Sequence, residues 1–187
     1  MHPASKLAHI LSTLLLTLAA TSACADVVVT PTLGRSKIDL KPAYAIDGEG
    51  TRVDGTITGV SVGYQFESNI LIGGNLSFTY GDNLFSATDD YRLYEGRAFI
   101  GYVIPLHDHF RITPLAGISR WEMDTKEGRF LNPGPEAKDE FTGSDSFAEL
   151  MLEFPITDLV VVHTSYTQSN FIFGRTKSFR GGVTFQF

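Results

Sequence analysis

The chain has 187 residues, with 15 basic and 21 acidic side chains, a formal net charge of −6 and one cysteine. That length holds one ordinary domain and not comfortably two. The acidic balance argues against a nucleic-acid partner, and a lone cysteine closes the disulfide route to stability.

The N-terminal stretch has the grammar of an export leader. Lys6 supplies a positive start, Ile10–Ala20 (ILSTLLLTLAA) is a short apolar run, and Ala23-Cys24-Ala25 fits a small-x-small cleavage site with Asp26 as the new N-terminus. Cys24 has a second reading as a lipidated terminus, but Thr21 stands where such leaders usually carry Leu. Removing residues 1–25 leaves residues 26–187, with 14 bases against 21 acids. No later run reaches 18 apolar residues, so no transmembrane helix is expected. Barrels cross membranes with short alternating segments, and that absence does not bear on them.

The rest of the chain alternates with period two, the signature of strands exposed differently on their two faces. Val27–Ile38 is the least regular segment. Thr56–Phe66 sets Thr58, Val60, Val62, Tyr64 and Phe66 against Ile57, Gly59, Ser61, Gly63 and Gln65. Ile70–Gly81 sets Ile72, Leu76, Phe78 and Tyr80 against Gly73, Asn75, Ser77 and Thr79. Leu93–Ile104 and Phe110–Met123 place Glu95, Arg97, Phe99, Arg111 and Ser119 on the polar face. Ser146–Phe154, Leu159–Thr167 and Thr176–Phe187 place Glu149, Met151, Glu153, His163, Ser165 and Arg180 there. Eight strands result. Glu67–Asn69, Pro105–His109 and Pro155–Asp158 are read as tight turns, and Asp39–Asp54, Asp82–Arg92, Asp124–Asp145 and Gln168–Arg175 as longer polar loops. Short turns at one end and long loops at the other are the pattern of an all-β, eight-stranded, antiparallel up-and-down transmembrane β-barrel.

A soluble eight-stranded barrel, such as a lipocalin, would share the alternation but turn its apolar face inward. The placement of aromatics decides between them. Phe78, Tyr80, Tyr94, Tyr166 and Phe179 fall near the loop ends of the apolar face. Tyr64, Phe66, Tyr102, Phe110, Phe154, Phe185 and Phe187 fall near the turn ends, with aliphatics such as Val60, Leu76, Ile100 and Leu150 between. Two aromatic girdles around an aliphatic band describe a lipid-facing wall. A lipocalin would also carry Gly-x-Trp in its first strand, whereas the one tryptophan is Trp121.

The motifs also resemble a known family. Gly182–Phe187 (GVTFQF) looks like the C-terminal signal read by the barrel-assembly machinery of the outer membrane, with Val183, Phe185 and Phe187 as its alternating hydrophobics. Gly101-Tyr102, Pro105, Asp108, Ala116-Gly117, Trp121 and Asp124-Thr125-Lys126 are similar to the central hairpin of the OmpA transmembrane domain. Leu152–Asp158 (LEFPITD) is similar to a later turn of that domain. The resemblance implies a bacterial outer-membrane location, an internal salt-bridge network with Glu153 as its best-matched member, and roles in envelope integrity or adhesion. OmpA continues into a peptidoglycan-binding domain. This sequence stops at Phe187, so anchoring by that route is not expected.

Four groups of residues are candidates for function. Glu95, Arg97, Arg111, Glu149, Glu153, His163 and Arg180 share the inward face of a lumen that side chains can fill, so they are expected to pair; the alternative is a narrow pore. His163 and Ser165, at i and i+2, resemble the His-x-Ser of lipid A deacylases. That family takes an orienting acid from the following strand, and here no Asp or Glu follows Asp158. A packed polar pair is favoured over a hydrolase. His107-Asp108-His109 is read as an exposed turn rather than a metal site, because neighbours on a tight turn rarely converge on one ion. Arg35, Lys37, Arg52, Arg92, Arg120, Lys126, Arg175 and Lys177 cluster at the loop ends, where lipopolysaccharide phosphates sit. They are read either as a phosphate-pairing collar or as charges gathered where water begins. The Asp124–Asp145 segment holds six acids and three bases, which suits a soluble loop or a basic partner. The expected partners are outer-membrane lipids and lipopolysaccharide, the assembly machinery, and an extracellular ligand at the loops. No cofactor or metal is expected, and the chain is expected to be a non-enzymatic monomer.

Overall fold

A computed structural model describes residues 25–41, 52–81, 89–127 and 138–187. Lys6, the Ile10–Ala20 run, Cys24 and the Asn132-Pro133-Gly134-Pro135 segment lie outside the described residues. Nine strand segments follow in chain order. They are β1 (Ala25–Leu40), β2 (Arg52–Phe66), β3 (Ile70–Gly81), β4 (Asp89–Tyr102), β5 (Ile104–His107), β6 (Phe110–Glu127), β7 (Lys138–Pro155), β8 (Val160–Phe171) and β9 (Gly174–Gln186). β4 and β5 are two parts of one strand, since both pair with β6. Every neighbour is antiparallel, and β1 pairs with both β2 and β9. The sheet therefore closes on itself as an eight-stranded up-and-down barrel. Closure satisfies every strand edge within the ring, which a lipid environment requires of the backbone.

Local chemistry explains the breaks. Asn69 takes a left-handed φ of 64° in the β2–β3 turn, a conformation that Asn tolerates better than most residues. Its carbonyl accepts from the Val103 amide at 2.8 Å, which ties this turn to the gap between β4 and β5. Pro105 has no amide to donate, and the β5–β6 register slips between Pro105 and His107. Closure is completed at the C-terminus. Phe187 and Val27 exchange two backbone hydrogen bonds, of 2.9 and 3.0 Å.

Two loops expected from the sequence are shorter than read. Asp124–Asp145 is strand at both ends, because the β6–β7 ladder continues to Lys126 opposite Lys138. The outer face of β7 there carries Thr142, Ser144 and Ser146 instead of apolar residues, so no apolar alternation marks it. Gln168–Arg175 is also mostly strand, with only Ile172 and Phe173 between β8 and β9. The apolar run Phe171-Ile172-Phe173 explains this: Phe171 and Phe173 are buried inside the barrel mouth, and a tight turn is what carries them there.

The wall has the polarity of a membrane barrel. Leu33, Val60, Leu76, Ile100, Ile118, Leu150 and Val162 point outward and are exposed. Tyr80, Tyr94, Tyr166 and Phe179 are exposed toward the loop end, and Phe66, Tyr102, Phe154, Phe185 and Phe187 toward the turn end. Phe78 is half-buried against the rings of Tyr80 and Tyr94, at 4.3 and 4.8 Å.

Candidate functional site

The lumen is layered rather than uniformly polar. At the loop end Ile38, Leu93, Trp121, Met123, Phe171 and Phe173 form a buried apolar cluster, with Leu40 and Phe141 packed against it. The Trp121 ring lies edge-on to Phe173 at 4.7 Å and Phe171 at 5.5 Å, and those two rings stack at 4.9 Å. Trp121 donates from Nε1 to Asp145 Oδ2 at 2.8 Å, so its one polar atom is satisfied while the ring stays in the plug. Gly143 makes room for it. A Cβ there would come within 2.4 Å of the indole. This plug is the feature that the sequence reading missed. Trp121 and Met123 share a face with Ser119, and carrying the alternation to the end of the strand turns both inward.

Below the plug lies the charged layer. Arg97 donates to Glu95 at 2.7 Å and pairs with Glu149 at 3.5 Å. Arg180 donates to Glu149 through a short contact and to the Thr167 hydroxyl at 2.8 Å. The side chains of all four charged residues are at most 9% exposed. Two cations and two carboxylates thus neutralise one another in one cluster. The Arg97 guanidinium also stacks 4.7 Å above the Phe147 ring. A cavity of about 40 Å³ remains here, lined by Asn75, Arg97, Glu149 and Arg180 among others. Beneath it a second apolar layer follows, made by Val28, Leu71, Val103, Leu115 and Met151 with Phe99 against them. Arg111 and Glu153 sit lower still, directly opposite each other across β6 and β7. Glu153 accepts from the Thr113 hydroxyl in a short contact, and Arg111 is half-buried near the turn end.

On the outer wall, Arg35, Lys37, Arg52, Arg120 and Arg175 are exposed, with Lys177 and Arg92 half-buried beside them. Lys126 lies at the upper end of β6, but its side chain is outside the described residues. The distribution is lopsided. Five of the eight bases fall on three adjacent strands: Arg175 and Lys177 on β9, Arg35 and Lys37 on β1, and Arg52 on β2. Lys37 stands directly opposite Lys177. Arg52 pairs with Asp39 at 3.1 Å, Arg175 donates to Asn170 at 3.3 Å, and Arg92 stacks 5.4 Å over Tyr80. The exposed Phe179 stands directly opposite Arg35 and the exposed Leu33 follows one step down β1, so the cluster sits where the apolar band ends.

A closed eight-stranded ring with two aromatic girdles is the architecture of a family that the sequence also matches. The signature of the outer membrane protein beta-barrel domain family covers residues 10–187. The chain belongs to that family. Among solved structures it is similar to NspA, a Neisserial surface protein, with a TM-score of 0.65 and 16% identity over 87% of this chain and 99% of that one. It is similar to Ail, the attachment invasion locus protein of Yersinia pestis, with a TM-score of 0.61 and 13% identity over 87% and 99%. The N-terminal β-barrel domain of Pseudomonas aeruginosa OprF gives 0.55 and 13% over 86% and 97%. At such identities the likeness is one of fold. No curated protein sequence matches the chain.

The remaining candidates can be placed in this outer-membrane barrel. His163 and Ser165 both point into the lumen and are buried. His163 Nδ1 lies 3.4 Å from the Thr184 hydroxyl, while Ser165 Oγ has no hydrogen-bond partner among the described residues. A nucleophile needs its base within hydrogen-bond reach, and these two are not joined. A membrane lipid would also meet the outer wall rather than this face. His107, Asp108 and His109 are all exposed on the β5–β6 turn, with the two imidazole rings 5.9 Å apart. Val183, Phe185 and Phe187 line the outer face of β9 and its end, and Phe187 is 73% exposed.

Proposed function

We propose that this outer-membrane barrel is a closed, non-conducting scaffold that acts at the cell surface, in envelope integrity and adhesion. The observation that carries this reading is the plug. Trp121, Phe171 and Phe173 fill the loop end of the lumen, so the outer wall and the loops are where other molecules are met. A paired charge layer beneath the plug serves stability better than conduction. The wall is anchored among lipopolysaccharide phosphates by the basic face over β9, β1 and β2. Like charges directly opposite each other on a sheet repel, and an anion between Lys37 and Lys177 turns that repulsion into two favourable contacts. A barrel of the same fold, Ail, has been solved with the heparin analogue sucrose octasulfate, a ligand of the same chemical kind as clustered phosphates. The alternative is that these charges simply gather where water begins, with Lys37 also facing Asp54 on β2.

In this reading residues 1–25 are removed on export, and the mature chain begins at Asp26 with no lipid on Cys24. An intact mass beginning elsewhere contradicts that part. Val183, Phe185 and Phe187 direct assembly, and the barrel is a monomer without cofactor or catalytic site. The experiment is a deletion strain scored for permeability to bulky antibiotics and for adhesion, complemented with wild type and with Lys37→Glu/Lys177→Glu. Deletion should weaken at least one of the two, wild type should restore it, and the double variant should not. A deletion strain with intact barrier and adhesion sinks the proposal.

A further inference from the structure

The two ends of the lumen differ. The loop end holds the plug, whereas toward the turn end the second apolar layer finishes at Val103, which is 2% exposed. Below Val103 the lumen widens into an open pocket of about 490 Å³, walled by Gln65, Asn69, His107, Asp108 and Arg111. Val103 belongs both to the apolar layer and to the pocket wall, so the pocket ends against that layer. Topology assembles it from separate strands. Gln65 comes from β2 and Arg111 from β6, both on the inward face. The hydrogen bond from the Val103 amide to the Asn69 carbonyl holds the β2–β3 turn against the gap between β4 and β5.

The charges in this pocket are not paired with one another. Arg111 makes no hydrogen bond or ion pair among the described residues; Glu153, directly across the ladder, accepts from Thr113. Asp108, on the turn of the same hairpin, also has no such partner among them. Gln186 Nε2 donates to Gln65 Oε1 at 3.1 Å, which leaves the Gln65 amide nitrogen to donate elsewhere. A cation and a carboxylate held apart in one recess act as a fixed dipole. A plain anion is drawn by Arg111 and repelled by Asp108, and a plain cation meets the reverse. A molecule with one charge of each sign satisfies both. Its anionic end is best a carboxylate, whose single charge matches the one arginine and whose two oxygens suit a guanidinium. A phosphate, at about −1.5 to −2, would exceed it. The volume falls within the range of about 300–1,000 Å³ usual for small-molecule sites.

We propose that the turn-end pocket binds a small zwitterion, a free amino acid or a very short peptide. Arg111 and the Gln65 amide take its carboxylate, Asp108 faces its ammonium group, and its body lies toward Val103. The site is at the opposite end of the barrel from the loops. It goes beyond the surface role proposed above and can fail without touching it.

The test titrates the full barrel, isotope-labelled in lipid nanodiscs, with alanine and with alanyl-alanine. Propionate and propylamine, carrying one charge each, are added in parallel at equal ionic strength. Binding is read from the amide resonances of the barrel. At least one zwitterion should give saturable shifts at Asn69, Val103 and residues 107–111, and the tighter of the two names the source. The singly charged probes should bind roughly tenfold more weakly or worse, the loss of one hydrogen bond to a charged group. Arg111→Gln and Asp108→Asn should each weaken zwitterion binding by a similar factor, and Asp158→Asn on the neighbouring turn should not. Heat-modifiable gel mobility verifies that each variant is folded. Should Arg111→Gln fail to fold, Asp108→Asn on its exposed turn decides alone. Propionate binding as tightly as the zwitterions makes this a plain anion site and overturns the proposal. Saturation with shifts only outside the pocket overturns it too, as does the lack of saturable shifts from both zwitterions at millimolar concentrations.

Discussion

Replacing Glu149 by alanine is the sharpest perturbation of the lumen. Glu149 is the carboxylate shared by Arg180 and Arg97, and the side chains of all three are almost fully buried. Without it Arg180 keeps only the Thr167 hydroxyl, and the cluster carries an uncompensated positive charge. Breaking a buried pair by removing one partner costs about 3–5 kcal/mol. With a urea dependence of about 2 kcal/mol per molar, the unfolding midpoint should fall by roughly 2 M. Glu95→Ala should cost less, because Arg97 retains Glu149 at 3.5 Å. Glu153→Ala should also cost less, about 1–3 kcal/mol, because its hydrogen bond is to the neutral Thr113 and the facing Arg111 is half-buried. Glu149→Ala/Arg180→Met restores neutrality and should recover most of the loss. Trp121 is the only tryptophan and is buried in the plug, so its fluorescence in detergent micelles reports the transition. A Glu149→Ala variant as urea-resistant as wild type would refute the reasoning. A double variant no more stable than the single one would refute it too.

Gly143→Val should push Trp121 out of the plug, since even a Cβ would come within 2.4 Å of the indole; the readout is a red-shifted emission and a midpoint lowered by about 1–3 kcal/mol equivalent, and unchanged emission counts against the packing described. Deleting Phe187 removes the two backbone bonds to Val27 and the last exposed aromatic of β9, and the chain should accumulate unassembled and protease-sensitive; normal outer-membrane yield would speak against its role in assembly. Lipid A mass spectra should be the same with wild type, with Ser165→Ala and without the protein. Loss of an acyl chain that depends on Ser165 would restore the hydrolase reading.

Much of the wall was legible in the sequence because one face meets lipid. Ile70–Gly81 was bounded as the strand is, and Thr56–Phe66 fell short only at its upper end. Seven of the eight bases share the outward parity of the apolar wall, and the side chain of Lys126 lies outside the described residues. Legibility ends where lipid ends. Residues 124–127 and 138–145 pair with few apolar side chains among them, and nothing in their hydropathy separates a strand from a loop. The β8–β9 turn was misjudged for another reason. Gln168-Ser169-Asn170 looks like loop, yet Ser169 faces the lumen and Phe171 and Phe173 anchor the hairpin in the plug. Inside, the alternation names which charges face inward but not which of them meet. Glu149 and Glu153 lie four residues apart on one strand face, and only the cross-lumen geometry gives Arg180 to the first and Thr113 to the second.

A closed lumen is the property on which the scaffold role turns. Purified wild-type protein inserted in planar bilayers, with insertion verified by heat-modifiable mobility, measures this directly. The plug of Ile38, Leu93, Trp121, Met123, Phe171 and Phe173 above a neutral ion cluster predicts no stable single-channel openings. A steady, large conductance from the wild-type barrel would contradict the closed scaffold and put a pore in its place.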